Sequence, residues 1–183
     1  MRVILGATGW ENEHWVGSYY DNDLPEDWRL TFYTRDFKTL LVPKEYWSGL
    51  SLEELEEISG DVEKDYPIFF EEPENAGEMD QSVKKMIPNW VEFENPEWQK
   101  IESHYILKLG NISANGNLGN DVAVIKASAS EPQSDTVIRD ILQTIKQEYK
   151  DCSIVYVFFE DALLDIDTLN TGRTLQKILG ILY

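Results

Sequence analysis

Segments typical of β-strands alternate with segments typical of helices along most of this chain, almost one for one. This alternation restricts the fold, because strand–helix–strand units place parallel strands in one sheet through right-handed crossovers. The apolar run from Ile154 to Phe159 contains no polar alternation, as expected of a strand buried on both faces of a parallel sheet. We therefore predict an α/β fold with a mostly parallel sheet flanked by helices.

Six segments have the short apolar runs of strands. They are residues 2–6, 37–42, 67–70, 105–109, 122–127 and 154–159. The stretch 86–94 contains Pro88 and is predicted to be either an edge strand or a loop, because proline cannot donate to a sheet ladder. Residues 110–120 contain three glycines and four asparagines, which predict a turn or a flexible loop.

Several helices have recognisable start signals. Pro25 suits the first turn of a helix, Ser51 and Glu54 have the spacing of a capping box, and Ser134 precedes a regular stripe of aliphatic residues. A last helix is expected near the C-terminal end. Because we find neither an internal repeat nor a linker, residues 1–183 are expected to form one α/β domain.

The chain is strongly acidic, with 34 Asp and Glu against 16 Lys and Arg and a formal net charge of −18. A surface of this sign repels phosphate backbones, so direct binding to nucleic acid is not expected. The excess acid either keeps the protein in solution or forms a docking face for a basic partner. No apolar run approaches the ~20 residues of a membrane helix, so no membrane partner is expected.

Cysteine and histidine are scarce. Cys152 is the chain's one cysteine, which excludes an internal disulfide and predicts a reducing, cytoplasmic location. Two histidines and one cysteine without ligand spacing do not predict a zinc site, and no calcium-loop motif is present. We therefore expect neither a metal nor a cofactor, and we find no serine or cysteine nucleophile motif.

The first thirty-odd residues combine glycine turns with an unusual density of aromatic residues. Such a cluster at the end of a strand builds either a packed plug or a mouth lined for a ligand. In chain order it contains Gly6, Gly9-Trp10, Trp15, Gly17, Tyr19-Tyr20, Leu24-Pro25, Trp28, Tyr33 and Phe37.

The order of these residues resembles the opening of the bacterial family called domain of unknown function 72. Members of that family begin with a strand, a Gly-x-x-Gly-Trp turn, a Trp-x-Gly-x-Phe/Tyr-Tyr segment and a tryptophan-bearing helix. The strand 155–159, followed by Asn170 and Leu175, is similar to the family's closing strand and last helix. The resemblance covers residues 3–39 and, more weakly, residues 134–180.

The resemblance implies a TIM-barrel-like fold with no established biochemical role. A TIM barrel takes about 250 residues, and this chain has 183. We therefore expect a reduced or open barrel of six or seven strands that lacks one or more βα units. An open barrel would leave unpaired strand edges, which a homodimer can cover.

The chain departs from the family pattern where family members carry polar residues at strand ends. Leu41 and Pro43 stand in place of a Glu and an Asn, Leu107 and Leu109 in place of an Arg and a His, and Glu160-Asp161 in place of paired asparagines. The mouth chemistry of the relatives is therefore not expected to carry over unchanged.

Two acidic pairs follow predicted strands, Glu71-Glu72 and Glu160-Asp161. In a parallel barrel both pairs lie at the rim where active sites are built. One carboxylate from each pair can act as acid and base in glycoside hydrolysis, where their separation decides the stereochemistry. The alternative is that both pairs belong to solvated loops.

Lys108 and Lys126 each interrupt an otherwise apolar strand, where a lysine is costly unless it reaches water or a carboxylate. Pointing into the mouth, they would pair with Glu71, Glu160 or an anionic ligand. Lying on an exposed edge, they would protect the sheet from aggregation. Both alternatives remain open.

Other candidate ligand-binding residues follow the first strand. Trp10, Trp15 and Tyr20 either stack on a sugar or base or form part of the core. His14 lies in the same loop and is a candidate general base or ligand.

The first functional hypothesis is a non-catalytic or degenerate member of an uncharacterised family that binds a small polar ligand or a protein at an aromatic-lined mouth. The alternative is a hydrolase that acts on a sugar or phosphate compound through a carboxylate pair. Architecture alone does not decide between them.

Overall fold

The computed structural model describes residues 1–63, 65–72, 89–92, 106–114, 121–129, 133–161 and 163–181, with residues 59, 89, 90, 92 and 106–114 described by their backbone alone. Within these ranges the chain forms a closed barrel of seven strands, β1 to β7, arranged in sequence order. The strands are Arg2–Thr8, Leu40–Val42, Ile68–Glu71, Asn89–Glu92, Ile106–Ala114, Val122–Ala129 and Ile154–Asp161.

Five α-helices flank the barrel in the described ranges. They are α1 (Arg29–Asp36), α2 (Lys44–Trp47), α3 (Leu52–Gly60), α4 (Asp135–Glu148) and α5 (Ile166–Ile178). Short 3₁₀ turns occur at Glu13–Trp15 and Glu26–Trp28. None of the described helices is long and apolar enough to span a membrane.

The sheet is mostly parallel, which confirms the predicted α/β, TIM-barrel-like class. Strand β1 runs parallel to both β2 and β7, and the pairs β2–β3, β3–β4 and β6–β7 are parallel as well. Strand β5 is antiparallel to both β4 and β6. The barrel closes with each strand paired on two sides, so the open form is not the one observed.

Strand β5 extends further than the sequence predicts. Residues 110–114, expected to form a turn or a flexible loop, continue the strand as far as Ala114. Their partners are on β4, where Asn111 lies opposite Glu92 and Ala114 lies opposite Asn89. The residues 86–94 were predicted as an edge strand or a loop, but β4 is instead an internal strand between β3 and β5. Cross-strand pairing overrides the local preference of glycine and asparagine for turns.

Strand β2 begins three residues later than predicted, and the Tyr33 side chain bridges β1 and the residue that precedes β2. The Tyr33 hydroxyl accepts a hydrogen bond from the Ala7 N–H at 2.8 Å and donates one to the Thr39 carbonyl at 3.0 Å. It thereby satisfies two buried backbone groups that a direct ladder would have paired. The paired residues of β1 and β2 are Ala7 with Leu40 and Thr8 with Leu41.

The predicted capping box is confirmed at the start of α3. The Ser51 hydroxyl accepts from the Glu54 N–H, and the Glu54 carboxylate accepts from the Ser51 N–H at 2.7 Å. Both bonds satisfy donors that a helix start leaves unpaired. Ser134 lies at the N-cap of α4 as predicted, but its side chain makes no capping bond.

The apolar residues form two layers, as the two faces of a barrel wall require. The outer face of β1, with Val3, Leu5 and Ala7, packs beneath the helices. The inner layer fills the barrel with side chains from alternate positions of the strands. Its buried members are Leu41, Phe69, Val91, Val124, Tyr156 and Phe158.

The packed tyrosines predict alkaline unfolding. Burial raises the pKa of Tyr19, Tyr20, Tyr33 and Tyr66 well above the usual value near 10, and that of Tyr46 to about 12. Above pH 10 the unfolded chain loses phenolic protons that the folded chain retains, so stability falls as pH rises.

Urea unfolding between pH 8 and pH 12 measures this effect. We expect the tyrosine contribution to be fully present below pH 10 and to be lost progressively above it. Tyrosinate absorbance should rise together with unfolding. Titration of these phenols near pH 10 in a chain that remains folded would contradict the prediction.

Candidate functional site

Three charged side chains meet where the parallel strands end. Glu71 is the last residue of β3, Lys126 lies in β6 and Glu160 lies in β7. The Lys126 Nζ is 3.2 Å from Glu71 Oε1 and 2.7 Å from Glu160 Oε2. The lysine side chain is 8% exposed and each glutamate side chain is 16% exposed. We call these three residues the ionic cluster.

Strand alternation places the ionic cluster on the inner face of the barrel. Tyr156 and Phe158 belong to the inner layer, so Glu160 continues the same face of β7. In the same way Lys126 lies two residues after Val124 in β6, so both side chains are on the inner face. The cluster therefore covers the inner apolar layer at the end where barrel proteins build their active sites.

The charge state of the cluster follows from its contacts. Burial lowers the pKa of Lys126, but the carboxylates of Glu160 and Glu71 more than offset burial and raise that pKa above its usual value. The lysine is therefore an ammonium cation at neutral pH, with no lone pair for nucleophilic attack. The three side chains have a formal charge of −1 and offer both donors and acceptors.

The other two predicted acids take different positions. Asp161 adopts φ 54°, in the left-handed region, and accepts a short hydrogen bond from the Ser128 hydroxyl. Glu72 donates its backbone N–H to the Val91 carbonyl at 2.9 Å. Lys126 thus joins one member of each predicted acidic pair, Glu71 and Glu160.

The candidate aromatic residues lie in the core. Trp10, Trp15 and Tyr20 are all buried. The Tyr20 hydroxyl donates to the Trp10 carbonyl at 2.7 Å, and Trp15 Nε1 donates to the Leu164 carbonyl at 3.1 Å. These bonds satisfy the polar ends of the rings, as buried aromatics require. The packed plug is therefore the arrangement observed.

His14 and Lys108 are the two remaining candidate residues. His14 is exposed in the turn Glu13–Trp15, and its backbone N–H donates to Asn12 Oδ1. Lys108 lies opposite Lys126 in the register of β5 with β6. The side chain of Lys108 is outside the described part of the structure, so its predicted role stays a prediction.

An open cleft of about 250 Å³ lies at the same end of the barrel. Its lining comes from the loops after β1, β2 and β7 and includes Thr8, Trp10, Asn12, Pro43 and Tyr46. The Thr8 hydroxyl is buried and has no hydrogen-bond partner among the described atoms. An unsatisfied buried hydroxyl is uncommon and requires an explanation.

Sequence reasoning missed Thr8 and Asn12. Thr8 is the last residue of β1 and lies four residues after Ile4, which packs against the inner layer. Strand alternation therefore places Thr8 on the inner face, and this alternation is the signal from which the sequence could have identified it. Asn12 Nδ2 donates to the Leu164 carbonyl at 3.1 Å and ties the loop after β1 to the loop after β7. Nothing in the local sequence indicates that contact, because the two residues are far apart in the chain.

The described residues contain no group of three His, Cys, Asp or Glu side chains arranged to hold a metal ion. Cys152 is unpaired and half-buried. Burial raises the pKa of its thiol, so the reactive thiolate is disfavoured at neutral pH.

Comparison with known proteins identifies the fold. No family model matches the sequence, and no curated protein matches it. The structure is similar to the crystal structure of a DUF72 family protein from Thermotoga maritima, with a TM-score of 0.60 and 10% sequence identity. The match covers 98% of this chain and 100% of the other. The chain therefore has the fold of a DUF72 family protein, in agreement with the resemblance of its opening residues.

Proposed function

We propose that this chain is a diverged, non-catalytic barrel of the DUF72 type that binds a small uncharged polar ligand, such as a sugar or polyol, at the mouth. One observation carries the proposal: Thr8, whose buried hydroxyl has no hydrogen-bond partner among the described residues, lines an open cleft at the end of the barrel that holds the ionic cluster. Ala7 pairs with Phe159, so Thr8 and Glu160 are the next residues on neighbouring strands.

The polar groups at this end favour a ligand with hydroxyl groups. Thr8 offers a hydroxyl, and the ionic cluster offers charged acceptors beside an ammonium donor. The edge-on pair of Trp10 and Tyr46, with ring centroids 4.7 Å apart, forms part of the apolar wall. Pockets that bind small molecules combine such walls with a few placed polar groups. The net negative charge of the cluster disfavours an anion.

The same geometry makes a hydrolase the weaker candidate. Acid–base cleavage of a glycoside needs a protonated carboxyl group and a second carboxylate on either side of the scissile bond. Here the ammonium group of Lys126 occupies the space between Glu71 and Glu160. A substrate would have to displace a lysine that is bonded to both carboxylates.

Removal of the Thr8 hydroxyl tests the proposal directly. Thr8→Val keeps the shape of the side chain and removes an unsatisfied polar group, so we expect unchanged or slightly higher stability. In a thermal-shift panel of monosaccharides and polyols, we expect a saturable rise in Tm for the unmodified chain. Thr8→Val should weaken that binding about tenfold, the loss expected for one hydrogen bond of about 1.4 kcal/mol.

Thr34→Val is the matched control, because Thr34 is on α1 and its hydroxyl bonds the Thr31 carbonyl. It should bind as the unmodified chain does. Binding that is equally strong in Thr8→Val would refute the ligand proposal. Hydrolysis of aryl glycosides that is lost in Glu160→Gln and kept in Glu72→Gln would show instead that the chain is an enzyme.

A further inference from the structure

A second cavity, of about 70 Å³, lies beside the N-terminal half of β1, remote along the strand from Thr8. It exists because β1 and β2 pair only from Ala7 onward, which leaves a gap between the earlier part of β1 and the end of α1. The cavity has apolar walls formed by Ile4, Leu5 and Phe37.

The α5 helix closes one side of this gap. The buried side chain of Gln176 donates from Nε2 to the Val3 carbonyl at 2.7 Å, where a strand neighbour would otherwise have donated. One turn earlier, Gly172 packs against β1 so closely that an added Cβ would lie 2.8 Å from Leu5 Cδ1. The position of α5 against β1 is therefore well defined by direct contacts.

Positive charge converges on this cavity in a chain whose net charge is −18. Lys38, Arg173 and Lys177 all line it, and Asp36 is the acid that lines it with them. These are three of the 16 lysines and arginines in the sequence. The local balance is thus positive by two charges, the opposite of the protein as a whole.

Local contacts position these side chains. The Arg173 guanidinium lies 5.2 Å from the centre of the Phe37 ring, and its Nη1 is 3.4 Å from Asn170 Oδ1. Lys38 Nζ donates to the Arg35 carbonyl at 3.2 Å. Asp36 Oδ2 accepts from the Tyr19 hydroxyl at 3.1 Å, so its carboxylate is already engaged.

We infer that this cavity binds the phosphate group of a small phosphate monoester. The ammonium group of Lys38 and the guanidinium of Arg173 complement the negative charge of a phosphate group, and a planar guanidinium matches its oxygens. A cavity of about 70 Å³ is small, so it admits a single phosphate group and the rest of the ligand lies outside. The site is separate from the mouth and does not depend on the function proposed there.

Inorganic phosphate is the probe that tests this inference. In ¹H–¹⁵N NMR titrations of the whole chain, at constant ionic strength set with chloride, we expect saturable shifts of the Gln176 side-chain amide. Arg173→Gln and Lys38→Gln should each weaken phosphate binding about tenfold or more, because each removes a charge-assisted contact. Asp36→Asn should tighten it, because it removes the repelling charge.

Two controls carry the same charge changes elsewhere. Arg139→Gln removes an exposed arginine of α4, and Lys146→Gln removes a lysine that bonds the Leu179 carbonyl at a helix end. Both should leave phosphate binding unchanged. Absence of saturable shifts, or equal losses in the controls and the cavity variants, would overturn the inference. Because Lys38 is exposed, its substitution tests the site even if Arg173→Gln fails to fold.

Discussion

Lys126→Met is expected to lower the free energy of unfolding by about 3–5 kcal/mol, the range for breaking a buried ion pair by removing one partner. The substitution leaves Glu71 and Glu160, each 16% exposed, as neighbouring carboxylates without the ammonium group that joins them. Urea unfolding at pH 7 measures the loss.

A charge-matched series separates this effect from simple loss of packing. The triple variant Glu71→Gln, Lys126→Met, Glu160→Gln removes all three charges and should recover most of the lost stability, because replacing a whole buried ion network is often close to neutral. Lys146→Met removes an exposed lysine of α4 and should have little effect. A triple variant as unstable as Lys126→Met would show that the lysine stem, and not its charge, supports the barrel.

Gly6→Ala is expected to cost about 3 kcal/mol or more, at the upper end of overpacking effects. A Cβ at Gly6 would lie 2.4 Å from the Thr39 carbonyl oxygen and 2.7 Å from Thr39 Cγ2. The clash is with backbone, which cannot rotate away. Because the Tyr33 hydroxyl also bonds Thr39, moving β2 outward would break that bridge to Ala7 as well.

Two other glycines calibrate this prediction by thermal or urea unfolding. At Gly172 an added Cβ meets Leu5 Cδ1, the end of a flexible side chain, and alanine gains about 1 kcal/mol of helix propensity there, so the net cost should be smaller. At Gly49 an added Cβ meets nothing within 4 Å, so alanine should be near neutral. A Gly6→Ala variant as stable as Gly49→Ala would contradict the close approach of β1 and β2.

Periodicity predicted the α/β class with a mostly parallel sheet, because a strand buried on both faces has to be apolar throughout, as residues 154–159 are. The barrel itself was implied by the family resemblance of the opening residues. The sequence could not predict the direction of β5. An antiparallel strand and a parallel strand can share the same apolar pattern, and the difference lies in how the connecting segments run. The extension of β5 through residues 110–114 likewise depends on pairing with β4.

Residue types alone identified Glu71, Lys126 and Glu160 as unusual, since charged groups in or directly after apolar strands need partners. That these three contact one another, with Glu72 and Asp161 left out, depended on strand register, because 55 residues separate Glu71 from Lys126. Register also decided that the opening aromatics pack as core and that Thr8 lines the mouth.

Local sequence therefore determined most of the strands and helices and which charges lie at the strand ends, because these depend on neighbours a few residues away. Tertiary structure decided the closure of the barrel, the direction of β5, and the two cavities beside β1. Each of these depends on contacts between residues far apart in the sequence, such as Gln176 with Val3 and Asn12 with Leu164. A local sequence pattern does not specify such contacts, because it reflects only the neighbours a few residues away.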